Sequence, residues 1–132
     1  MIFADTSFWV AWAMPRDGHS EEAAAALARW SDSQIAMTNL VLGETWTFLR
    51  KKIGHGKAED VRGFIERSPR IEVVRVSGEL EAAAWRWLAK HDERSYSFVD
   101  ATSFAVMRAK KIREALAFDG DFTAAGFTEL RA

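Results

Sequence analysis

The apolar segments of this chain are short and do not alternate in polarity. Residues 2–4, 34–37, 71–74 and 115–118 are runs of three or four residues, mostly hydrophobic at successive positions. A strand with one wet face alternates, whereas a strand covered on both faces reads as a continuous apolar run. Longer segments with helical spacing lie between them. Asp5-Thr6-Ser7 opens one to Ala13, and 19–31, 39–52, 57–67, 78–90 and 98–109 follow. A short helix at 121–125 and an edge strand at 128–130 complete the set, with Gly54 and Gly56 stopping the helix at 39–52. Strands alternating with helices predict an α/β fold of three layers, a parallel β-sheet flanked by helices on both faces.

A chain of 132 residues predicts one domain spanning 1–132. With 48% hydrophobic residues and six tryptophans it can fill a core unaided. It has no cysteine, which removes disulfides and thiolate metal sites and suits a reducing cytoplasm. Asp5 interrupts the first apolar run and no later run is long enough for a bilayer, so the expectation is a soluble, cytoplasmic protein with no membrane partner. The net charge of −1 gives no bulk basic footprint. Local candidates are Arg50-Lys51-Lys52 and the run Arg108, Lys110, Lys111, Arg113, which can equally be cations complementing helix C-termini.

In a sheet of this kind a ligand site forms beyond the carboxyl ends of the strands. Asp5 directly follows the first strand, and Asp119 and Asp121 follow the strand at 115–118. Asp100 opens the helix before that strand. Each has an ordinary alternative role as a helix cap or turn residue. Glu44 is different: Leu40, Val41 and Phe48 are its neighbours at helical spacing, so it is expected within the core-facing stripe. A carboxylate there needs a partner, a salt bridge or a metal ion. Several carboxylates in one cleft repel one another, and a hard divalent cation relieves this. His19, His55 and His91 share no metal-ligand spacing and are expected to be structural or at the surface.

The ordered set resembles a PIN domain. Asp5-Thr6-Ser7 follows the first strand, Glu44 lies on the third helix, Phe98-Val99-Asp100-Ala101 opens a late helix, and Asp119-Gly120-Asp121-Phe122 follows the fourth strand. The length is similar to that of VapC toxins. Thr6-Ser7-Phe8-Trp9, Leu42-Gly43-Glu44-Thr45-Trp46 and residues 96–107 resemble the VapC subgroup that cuts the sarcin–ricin loop of 23S ribosomal RNA.

The resemblance implies a metal-dependent endoribonuclease, the toxin of a type II toxin–antitoxin pair. Asp5, Glu44, Asp100 and Asp119 match the family's catalytic acids, which would hold one or two Mg2+ or Mn2+ ions. Asp121 matches an additional metal-holding acid, and Thr6 or Ser7 a supporting hydroxyl. A homodimer, a VapB-type antitoxin and an RNA substrate, ribosomal in the subgroup, are the implied partners. A water activated by the cation would attack the phosphorus in line and leave 5′-phosphate and 3′-hydroxyl ends. The chain departs from many members at Ala117, where they carry threonine two residues before the fourth acid.

For RNA contacts the candidates are Arg50, Lys51, Lys52 and Arg94 at phosphates, and Trp46 and Tyr96 as stacking platforms. Trp9, Trp12, Trp85 and Trp87 are assigned to the core or a dimer interface. The alternatives are a VapC that cuts transfer RNA and a non-catalytic RNA- or protein-binding PIN module. A phosphatase with Asp5 as nucleophile ranks below these, because Ser7 stands where its second aspartate belongs.

Overall fold

The structure, a computed structural model, describes residues 1–131. The last residue of the expected domain, 132, lies outside them. Strands β1 (Ile2–Ala4), β2 (Ile35–Thr38), β3 (Ile71–Val74), β4 (Glu114–Leu116) and β5 (Thr128–Glu129) form one sheet in the order β3-β2-β1-β4-β5. Every pairing is parallel, with Phe3 opposite both Ala36 and Ala115. All residues of β1 and β2 are buried, which is why their sequences do not alternate.

Helices α1 (Thr6–Ala13), α2 (Ser20–Arg29), α3 (Asn39–Ile53), α4 (His55–Arg67), α5 (Gly78–Lys90), α6 (Phe98–Lys110) and α7 (Asp121–Ala124) make the connections. The largest fully buried side chains include Trp9, Phe3, Phe8, Phe104 and Phe122, drawn from β1, α1, α6 and α7. Helix α6 is buried at every residue from Asp100 to Met107. It runs as an internal rod rather than a surface helix with one apolar stripe.

Several boundaries differ from the sequence expectation. Gly54 alone separates α3 from α4: at φ +100° it caps both helices, and Gly56 continues α4. Strand β4 ends at Leu116 and β5 at Glu129. Beyond β4, the Phe118 amide donates to the Ser7 hydroxyl at 3.0 Å instead of pairing with a strand. Helix α2 is shorter at both ends than 19–31.

The chain lays β2 and β3 to one side of β1 and β4 and β5 to the other. The change of direction between β1 and β4 opens a crevice above their carboxyl ends. Asp5 and Asp119 stand at that crevice because each follows one of these strands closely.

Candidate active site

Asp5 caps α1 while buried. Its Oδ2 accepts from the Ser7 amide at 3.2 Å and the Ser7 hydroxyl at 2.8 Å. The Ser7 hydroxyl also accepts from the Phe118 amide, so one side chain ties the end of β1 to the segment leading into Asp119. Asp100 sits at the third position of α6 in a capping box. Ser97 Oγ accepts from its amide at 2.9 Å, and its Oδ2 accepts from the Ser97 amide at 3.0 Å. Asp119 Oδ1 accepts from the Asp121 amide at 3.1 Å, which orients the Asp119 side chain. The capping roles expected for these residues are real. They coexist with convergence: Asp100, Asp119 and Asp121 each offer an oxygen within 4.8 Å of the others.

Burial and mutual repulsion raise the affinity of Asp5, Asp100 and Asp119 for protons. Burial pushes Asp5 up to about 8, reinforced by the charge of Asp119 and opposed by the bonds from Ser7. Burial lifts Asp100 to about 6, with further pressure from Asp121 and Asp119. Asp119 is raised as well, by burial and then by its neighbour Asp121. The donor set of the cluster is oxygen alone, which suits a hard divalent cation.

Glu44 corrects the sequence reading. It is exposed, because the buried stripe of α3 is Val41, Thr45 and Leu49. Of its apolar neighbours only Val41 is buried; Leu40 is half-buried and Phe48 is 40% exposed. Glu44 still reaches the site. It accepts from the Thr6 hydroxyl at 2.6 Å and lines a cleft of about 390 Å³ with Asp5, Asp100 and Asp119. Thr6 and Ser7 therefore divide their work, one holding Glu44 and the other Asp5.

The expected RNA-contact residues scatter. Arg94 turns to the acids: its Nη2 lies 2.8 Å from Asp121 Oδ1, and it also donates to the Asp119 carbonyl at 3.4 Å. Tyr96 packs edge-on against Trp87 and Phe104 with its hydroxyl buried, so it offers no free face to a base. Trp46 lies on the α4 side, where its indole donates to Glu59 at 2.8 Å and Arg50 covers its ring. Lys51 lines a groove that shares Glu44 and Phe48 with the acid cleft, and Lys52 covers the Phe48 ring. Two cleft residues were not anticipated. His19 stacks on Phe118 with ring centres 4.5 Å apart, and Asp17 lines the cleft beside it. Only the position of Phe118 next to Asp119 hinted at a ring there.

A five-stranded parallel sheet with an oxygen-lined acid cluster at its switch point defines an α/β domain whose cleft could hold a metal ion. The chain belongs to the PIN-domain family, whose model matches residues 2–128. It is 52% identical over 132 residues to the 23S rRNA-specific endonuclease VapC20 of Mycobacterium tuberculosis, covering 99% of this chain and 98% of that one. The crystal structure of M. tuberculosis VapC20, a sarcin–ricin loop cleaving toxin, superposes with a TM-score of 0.93 at 48% identity over 100% of both chains. VapBC2 from Rickettsia felis, bound to a promoter DNA fragment, shares the fold with a TM-score of 0.72 at 15% identity. That match covers 98% of this chain and 97% of the other.

Proposed function

We propose that this chain is a VapC-type toxin, a divalent-cation-dependent endoribonuclease that cuts the sarcin–ricin loop of 23S ribosomal RNA. The observation that carries the reading is the convergence of Asp100, Asp119 and Asp121, with Asp5 lining the same cleft and the proton affinities of Asp5, Asp100 and Asp119 raised. Such a cluster is poorly stable without a cation. The 52% identity to VapC20 over nearly the full length supports the ribosomal target.

When bound, Mg2+ or Mn2+ neutralises charge at the scissile phosphate and acidifies a water. Asp100, Asp119 and Asp121 would hold it, and Asp5, fixed by Ser7, would complete the acid wall. Glu44, steadied by Thr6 and lining the same cleft, would face the attacking water. Arg94, 2.8 Å from Asp121 Oδ1, would have to yield that oxygen to a cation held there. Residues 1–132 act as one PIN domain in the cytoplasm, and no helix among the described residues is long and apolar enough to cross a membrane.

Two partners follow. Trp85, 54% exposed, stacks on Phe98 at 4.4 Å, and Phe98 lines a groove with Leu40, Val99 and Phe48. This apolar face borders the acid cleft and suits a second copy of the chain, with a VapB-type antitoxin covering the shared mouth.

The test is cleavage of purified RNA with Mg2+ or Mn2+, against chelator. Metal-restored cleavage leaving 5′-phosphate and 3′-hydroxyl ends supports the reading. Cleavage of transfer RNA alone reassigns the target, and no cleavage of either RNA turns the reading to a binding module.

A further inference from the structure

A second cleft lies between α5 and α6, and it shares no lining residue with the acid cleft. Its volume is about 400 Å³, and Ala83, Arg86, Trp87, Lys90, His91, Ala105 and Arg108 line it. No carboxylate is among them, in a chain where acids outnumber lysines and arginines by 19 to 18. The cations here also have no carboxylate partner to compete with a ligand. Arg62, Arg94, Arg131 and Lys110 each pair with a carboxylate, whereas Arg86, Lys90 and Arg108 pair with none among the described residues.

Arg108 is held in place by rings. Its guanidinium lies 5.5 Å from the Trp87 ring centre and 5.4 Å from that of Phe127. Trp87 is itself fixed, with His91 stacked on it at 4.0 Å and the His91 Nδ1 2.8 Å from the Trp87 carbonyl oxygen. The indole is thus occupied by protein groups and is not a platform for a base. What remains open is the polar edge of a fixed guanidinium, with Arg86 and Lys90 one helical turn apart on α5. Three cations around an acid-free cleft, one of them held by aromatic rings, match the oxygens of successive phosphates.

We propose that the Arg86–Lys90–Arg108 cleft is a second RNA site that grips the phosphate backbone of a stem outside the cleaved loop. The proposal rests on the ribonuclease reading above, since an RNA substrate supplies the phosphates. Arg108 lies eight residues from Asp100, or about 12 Å along α6. RNA held at this cleft is therefore remote from the cut phosphate and contributes binding rather than chemistry.

The test uses full-length protein carrying Asp119→Asn, so that binding is read without cleavage. Fluorescence anisotropy measures its affinity for a minimal ribosomal hairpin and for the same hairpin extended by its flanking stem, over a range of KCl. Arg86→Gln/Lys90→Gln, both exposed positions, is compared with its parent, and Arg108→Lys asks whether the planar fork matters. The proposal expects the double variant to bind the extended RNA about tenfold more weakly, with a log–log salt slope shallower by about 2, and the minimal hairpin unchanged. Equal affinity and slope for both proteins on the extended RNA overturns it. Equal weakening on both RNAs also overturns it, as does weakening confined to antitoxin binding. Failure of wild-type protein to cut any RNA would instead count against the ribonuclease reading, because binding is measured separately.

Discussion

The two ends of α6 lie in opposite electrostatic settings. At the amino end Asp100 joins Asp119 and Asp121, and burial with mutual repulsion outweighs the capping box that favours its charge. At the carboxyl end Arg108 stands between two aromatic rings beside Arg86 and Lys90 with no acid in reach. The helix dipole favours each charge where it sits, by about 0.3–1 kcal/mol, too little to create either cluster. The difference teaches that net charge conceals the functional layout. A total of −1 is compatible with a crowded acid site and an acid-free cationic cleft on one buried helix.

The sharpest way to break this comparison is at the acid end. Asp119→Asn should lower the cleavage rate on the order of 10³-fold or more, read by single-turnover kinetics, with the circular dichroism spectrum unchanged. Asp5→Asn should also remove cleavage while raising the melting temperature of the metal-free protein at pH 8. It removes a buried charge that faces Asp119. A variant that loses activity and stability together would speak against that repulsion.

The pH dependence of the metal-free protein sharpens the same point. Asp5 is raised from 3.8 to about 8 and Asp100 from 3.8 to about 6. A carboxyl with a raised folded pKa stabilises the fold fully below the unfolded value and loses that contribution as pH rises through the folded value. The melting temperature without metal should therefore fall between pH 4 and pH 8, and added Mn2+ should reverse the fall most strongly at the upper end. A flat profile in chelator would contradict the burial of Asp5.

Smaller effects belong to the hydroxyls. Ser7→Ala removes the group joining Asp5 to Phe118 and should cost about 1 kcal/mol of stability in urea denaturation and 10–100-fold in cleavage. Thr6→Val touches only the exposed Glu44 bond, so cleavage should slow by about fivefold with stability unchanged.

The aspartates were legible because each follows a strand or opens a helix, and chain order alone brings such positions to the switch point of a parallel sheet. Glu44 was found for an incomplete reason. Leu40 and Phe48 suggested burial, but they belong to an outward apolar face, and helical spacing cannot distinguish core from interface. The surroundings of Arg94, Trp46 and Tyr96 were not legible because their partners, Asp121, Glu59 and Trp87, come from other elements. His19 was missed because its place depends on how residues 14–19 turn back onto Phe118. Short-range pattern specified the sheet and its acids; contacts between elements decided everything that depends on side-chain direction.

The most direct measurement is incubation of intact ribosomes with purified protein and Mg2+ or Mn2+, with new RNA ends mapped, beside chelator and Asp5→Asn controls. The account predicts one metal-dependent cut in the sarcin–ricin loop, absent from both controls. An uncut loop in wild-type protein with metal, or an identical cut in chelator, would contradict it.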